Sequence, residues 1–215
     1  YKYDVDPTSG GYSKDPLHDE NSDAADSFRQ IAQYLSSKKE KPIIKIDSLK
    51  TCKTLIVAPN HMRKYFLNML AKEIRFAKKK QKASVFLKLN SLVDHELIAE
   101  LYHAARSGVE IHMIIRGICC LKAEQKSFKK EIHAISIIDE YLEHARVFIF
   151  NNYNTPMVYI SSADWMVRNL DHRIEVACPI FDNAIQEELT TILKLQMQEN
   201  VKGRILDNDQ TNNYV

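Results

Sequence analysis

The amino-acid sequence predicts an α/β domain with a mixed, largely parallel sheet flanked by helices on both faces. Three observations point there. Short apolar runs of strand length alternate with longer segments of helical period along most of the chain. Residues 85–115 read strand, helix, strand, with a glycine where the helix should stop. A chain of 215 residues that is 45% hydrophobic and 27% charged, with only 5 Gly and 6 Pro, can fill one sizeable core and is not of disordered composition.

The elements follow in order. Residues 1–23, rich in Asp, Ser, Gly and Pro, read as loop. Phe28, Ile31, Ala32 and Leu35 then share one helical face until SSKKEKP breaks the pattern. TLIVA at 54–58 reads as a strand, and Asn60 is placed to cap a helix that carries Met62, Phe66, Leu67, Leu70 and Ile74 inward. That helix ends in Lys78, Lys79 and Lys80, which suit the negative end of its dipole. VFLKLN at 85–90, a helix over 93–106 closed by Gly108, and VEIHMII at 109–115 form a βαβ unit. Its two strands should be parallel and joined right-handedly. Further strands are expected at 146–150, 157–161 and 173–181, at least six in all, before a long helix from about Asp182 to Gln198. The expected organisation is a loop and short helix at 1–46, the α/β body at 47–200 and a C-terminal tail at 201–215.

Composition narrows the function. No apolar run approaches the roughly 18 residues that would suggest a membrane span, and the first residues lack a leader pattern, so a cytoplasmic location is expected. Cys52, Cys119, Cys120 and Cys178 contain no CxxC pair, which argues for reduced thiols and against zinc. The net charge of +2 is uneven: residues 1–40 hold five basic against eight acidic side chains, leaving a mildly basic body suited to an anionic ligand. Aromatics at 9% and the lack of a nucleic-acid motif argue against a nucleic-acid partner.

Polar chemistry collects at a few places. Ser91 and Asp94 form an S-x-x-D capping pattern directly after the strand ending at Asn90. A helix amino terminus at the carboxyl edge of a parallel strand offers backbone N–H groups and a positive dipole to phosphate, with Lys88, Asn90 and Ser91 beside it. The next strand should bring Arg116 to the same edge, just before Gly117. A guanidinium there can bind phosphate bidentately, although a strand-end arginine equally suits a surface ion pair. His144-Ala145-Arg146 precedes an apolar strand, and the string from Tyr159 to Glu175 holds Asp164, Arg168, Asp171 and Arg173. A lone histidine of this kind is more often structural than catalytic. The carboxylates Asp164, Asp171 and Glu175 read as metal ligands or, preferably, as groups orienting Arg168 and Arg173, so no metal ligand set is assigned.

The pattern from His144 onward resembles the second H-x-K-x4-D motif of the phospholipase D superfamily, with Arg146 at the lysine position and Asn151 at the aspartate position. The longer strings KLNSLVD, RGICCL, YLEHARVFIF, YISSADWMVRNLD and RIEVACPI resemble the carboxy-terminal catalytic half of bacterial polyphosphate kinases over roughly residues 50–215. That resemblance implies a phospholipase D-like domain in which His144 is catalytic and Arg116, Arg173, Lys88 and Asn90 bind ATP and polyphosphate. It implies reversible transfer of the terminal phosphate of ATP to polyphosphate through a phosphohistidine on a preceding half, so that residues 1–46 would end that half and this chain alone would be incomplete. ATP and Mg²⁺ are the implied cofactors, the ion held mainly by residues outside this chain. ADP, polyphosphate and the preceding half are the implied partners. A homo-oligomer and peripheral attachment to the inner membrane within a complex are also expected. The alternatives are a dimeric phospholipase D-type phosphodiesterase and a non-catalytic polyanion-binding module.

Overall fold

The computed structural model describes residues 54–209 and 211–215; the short helix expected at 24–35 and Cys52 lie outside them. The described elements are β1 (Ile56–Ala58), α1 (Met62–Lys78), β2 (Ser84–Leu89), α2 (His95–Ser107), β3 (Glu110–Ile115), β4 (Ile132–Ser136), β5 (Val147–Phe150), β6 (Met157–Ser161), α3 (Val167–His172), β7 (Glu175–Ile180), α4 (Asn183–Met197) and β8 (Arg204–Ile205). The strands form one sheet in the order β1-β7-β6-β5-β2-β3-β4-β8.

The expected βαβ unit is present: β2 and β3 pair in parallel from Ser84↔Glu110 to Leu89↔Ile115. β4 extends this parallel block beside β3. The expectation of a largely parallel sheet needs correction, because the other five pairings are antiparallel. The cause is connection length and return edge. Residues 151–156 are too few for a crossover between β5 and β6, and α3 carries the chain back into the sheet at the edge it left. Residues 201–215, expected as a tail, contribute β8 to the sheet edge, where Ile205 pairs with Ile135.

Alternation along the strands sorts side chains to two faces. Val85, Leu87 and Leu89 join Phe66, Leu70, Leu97 and Leu101 in the larger core under α1 and α2. Ile114, Ile135, Val147, Ile149 and Val158 pack with Leu193 of α4 on the other face. Phe66 centres the larger core, edge-on to Phe148 at 5.0 Å and to Tyr159 at 5.7 Å. Burying such a ring stabilises the fold by about 1.5–3 kcal/mol, before the added worth of the aromatic pairs. Gly108 ends α2 at φ 98°, a conformation that favours glycine. Among the described residues, no helix is long and apolar enough to cross a membrane.

Candidate functional site

Strand direction brings the polar segments together. β2, β3, β4, β6 and β1 run toward one edge of the sheet, and β5 and β7 start from it. Asn90, Arg116, His144, Arg146, Ser162 and Arg173 therefore all lie at that edge. Adjacent strands are spaced ~4.8 Å, so the backbones at 116 and 146, on either side of β2, stand roughly 10 Å apart.

His144 is exposed, and both its sequence neighbourhoods are pinned. On one side, Lys88 donates to Glu143 and to Gln196 Oε1 of α4 at 2.7 Å. On the other, Arg146 grips Asp164, with Nε to Oδ1 at 3.2 Å and Nη2 to Oδ2 at 3.1 Å. Arg146 Nη1 reaches back to His144 Nδ1 and to the His144 carbonyl, both at 3.1 Å. Asp164 is itself buried and accepts the backbone N–H of Asn90 at 2.8 Å and of Ser91 at 3.3 Å.

Arg173 is held in the same manner. Two residues before it, Asp171 accepts from Arg63 at 2.8 Å, and Arg63 of α1 also donates to Asp94 Oδ2 at 2.8 Å. The Arg63 hydrogen bond, then its charge, holds the Asp171 carboxyl below the usual carboxylate range. Two residues after Arg173, Glu175 accepts Asn169 Nδ2 at 2.7 Å and the Ser162 hydroxyl. Arg173 between them is exposed, and its guanidinium has no hydrogen bond or ion pair among the described residues.

Arg116 is also without a side-chain partner among the described residues, although its backbone is fixed. Its N–H donates to Leu89 O at 3.1 Å and its carbonyl accepts from Ser136 Oγ at 3.1 Å. Gly117 follows because its N–H bonds Asn90 O at 2.7 Å, and a Cβ there would stand only 3.0 Å from the same oxygen. Asn90 is 4% exposed, yet its Oδ1 and Nδ2 both lack a partner. A buried amide in that state costs about 1–3 kcal/mol for each unsatisfied group, which argues for a water or ligand atom against it.

Five expectations change. Lys88 does not line the open edge: it is 4% exposed and committed to Glu143 and Gln196. The N-cap of α2 is Asp94 rather than Ser91, through Leu97 N to Asp94 Oδ1 at 3.1 Å. The N-cap of α1 is His61, one residue after the expected Asn60. The start of α2 is also not the open phosphate cradle expected of it. The N–H groups of Val93 and Asp94 donate to Trp165 O at 2.9 and 2.8 Å, and that of Leu92 to Ile118 O at 2.8 Å. The carboxylates do orient guanidiniums, but Asp164 serves Arg146 and Asp171 serves Arg63, not Arg168 and Arg173. Arg63 was missed because its partners lie 31 and 108 residues away. With Asp164 and Glu175 committed to protein donors, and with no group of three His, Cys, Asp or Glu disposed to hold a metal among the described residues, this edge does not fit a Mg²⁺ site.

A mixed sheet with paired helices on one face and a histidine motif at the shared strand edge is the phospholipase D-like fold. The structure of Nuc from Salmonella typhimurium, a phospholipase D family member, superposes with a TM-score of 0.50 at 15% identity, over 72% of this chain and 97% of that one. Polyphosphate kinase from Porphyromonas gingivalis superposes with a TM-score of 0.72 at 40% identity, over 75% of this chain and 25% of that one. Residues 55–215 match the family described as polyphosphate kinase C-terminal domain 2, and the chain belongs to that family. Among curated relatives, the polyphosphate kinases of Vibrio vulnificus and of Escherichia coli K12 are 47% and 42% identical over 161 residues, 75% of this chain. The match covers 23% of each relative's length, so the chain spans about a quarter of the curated relatives it matches.

Proposed function

We propose that this chain is the C-terminal catalytic segment of an enzyme that reversibly moves the terminal phosphate of ATP onto inorganic polyphosphate. The observation that carries the reading is the pairing of two guanidiniums without a partner among the described residues, Arg116 and Arg173, with an Asn90 amide orphaned among the same residues, at the edge that also holds His144. Unpaired cations on a fixed backbone keep their full capacity for an incoming polyanion, and no reorganisation is needed when charge builds on the transferring oxygens. The phosphohistidine and the Mg²⁺ ligands belong, in this reading, to the preceding half of a full-length protein, with His144 assisting from this side. ATP or ADP, polyphosphate and that half are its partners. Self-association and a cytoplasmic or membrane-peripheral location are part of the same proposal.

A phospholipase D-type phosphodiesterase is the less supported reading. It calls for a histidine nucleophile, whereas Arg146 engages His144 Nδ1, and Asn151 donates to Lys82 O at the opposite edge of the sheet.

The test is His144→Ala in a full-length protein carrying this segment. Loss of a residue that stabilises charge in the transition state should lower polymer synthesis by roughly 100-fold or more while the melting temperature holds. Near-normal turnover would remove His144 from the mechanism.

A further inference from the structure

We propose that Arg146 is a positioning residue that locks His144 in the tautomer with its proton on Nε2. His144 would then meet the phosphoryl group as a neutral hydrogen-bond donor, neither a phosphoryl acceptor nor a general acid. A guanidinium has N–H groups and no acceptor, so in the 3.1 Å contact between Arg146 Nη1 and His144 Nδ1 the imidazole nitrogen must accept. A neutral imidazole accepting at Nδ1 carries its proton at Nε2.

The arrangement is anchored. Asp164, with 8% of its side chain exposed, takes Nε and Nη2 of Arg146, while Nη1 is shared between the ring and the carbonyl of the same histidine. Asp164 cannot swing away without releasing the N–H groups of Asn90 and Ser91. The hydrogen bonds at Nε and Nη2 therefore hold the guanidinium with Nη1 beside Nδ1.

Two mechanistic consequences follow. Attack on phosphorus needs a ring lone pair, but Nε2 carries a proton and the Nδ1 pair points at Arg146. Acting as a general acid needs the imidazolium, whose Nδ1–H would be driven against the Nη1–H of Arg146. What remains is an Nε2–H on an exposed ring at the sheet edge, able to stabilise charge on a phosphate oxygen without giving up its proton. The role at phosphate rests on the proposed polyphosphate reading; the tautomer does not.

The experiment uses the full chain with ¹⁵N-labelled histidine, recording correlations from the ring carbon protons to both ring nitrogens. The His144 signal among the 8 histidines is identified by His144→Gln. The expected result is a single tautomer for His144, with Nδ1 unprotonated and Nε2 protonated. Arg146→Met should shift His144 to a mixture containing the Nδ1–H form, and Arg146→Lys, whose ammonium also only donates, should restore the single tautomer. Unchanged signals from the other histidines would certify the fold. A tautomer mixture in the wild type, or an Arg146→Met spectrum identical to it, overturns the proposal, and the wild-type measurement decides it even where a variant fails to fold. Adding polyphosphate to a labelled full-length protein carrying this segment then separates the two ideas. A His144 resonance that is single-tautomer yet unmoved by polyphosphate would end the functional reading and leave the Arg146 assignment standing.

Discussion

The two edges of the sheet treat their polar groups in opposite ways. At the edge where β2 begins, Glu73 is fully buried, and its carboxylate takes the N–H of Ser84 at 3.1 Å and of Asn152 at 2.6 Å. Asn151 Nδ2 bonds Lys82 O at 3.0 Å, closing the turn that leads into β6. At the edge where β2 ends, Arg116 and Arg173 hold nothing among the described residues and the Asn90 amide is orphaned among them, although the Arg116 backbone and the neighbours of Arg173 are tied down. The first edge uses its hydrogen bonds to make structure. The second holds its groups rigid and leaves them open, as a site for a mobile polyanion requires.

This contrast can be broken by substitution, and the largest effect is expected at the open edge. Arg116→Ala and Arg173→Ala should each weaken polyphosphate binding by roughly 10- to 100-fold, since a charge-assisted hydrogen bond is worth about 1.5–3 kcal/mol. Each should also flatten the dependence of log affinity on log salt by about one, because fewer counterions are released. Neither should alter the melting temperature by more than a degree or so, as neither guanidinium has a partner to lose among the described residues. Fluorescence anisotropy with labelled polyphosphate at several salt concentrations reads both quantities. Unchanged affinity, or a fall in melting temperature comparable with a core mutation, would show that the two edges do not differ as described.

At the closed edge the effects should reverse. Glu73→Leu removes both acceptors and strands two backbone N–H groups, at a cost of about 2–3 kcal/mol. For a chain of this size that lowers the melting temperature by roughly 4–12 °C. Burial also pushes the Glu73 carboxyl above its ordinary value, against the opposing pull of the two N–H donors. Polyphosphate affinity measured below the unfolding transition should match the wild type. Thermal melts and a binding titration on the same sample check this, and a variant that binds tenfold more weakly while staying folded would couple the edges.

The architecture was legible where sequence pattern is local. The apolar runs behind β2, β3, β5 and β6 and the helical faces of α1, α2 and α4 could be placed to within a few residues. β4 was missed because IHAIS carries His133 and Ala134 in place of an unbroken apolar run, and β8 because it is two residues long. α3, a six-residue helix, hides inside a polar string. The site divides similarly. His144, Arg116 and Arg173 stand at strand ends and could be found. Which cation each carboxylate would hold could not, since Asp171 meets Arg63 across 108 residues and Lys88 meets Glu143 across 55. Lys88 and Arg116 look alike in sequence, as cations at the ends of neighbouring strands. Only packing separates the one beneath α4 from the one left open.

The smallest effect sharpens the comparison, because it tests a paired cation on the closed side. Glu110, at the start of β3, accepts from His112 Nε2 at 2.9 Å and from Lys130 Nζ at 3.0 Å. These partners, His112 first, hold its carboxyl at about 2 against an ordinary 4.5. A carboxyl with a lowered folded value stabilises fully above its unfolded value, so this contribution is complete above about 4.5 and drains away as pH falls through about 2. Its size is small, because the pair is largely exposed and such bridges are worth ~0–1 kcal/mol. Glu110→Gln should therefore melt slightly below the wild type at pH 6, converge with it between pH 4.5 and 2, and lose most of the gap in high salt. A gap that persists at pH 2, or that widens on acidification, would mean the contribution of Glu110 is packing and not charge, and the closed edge would then owe its stability to something other than satisfied polar groups.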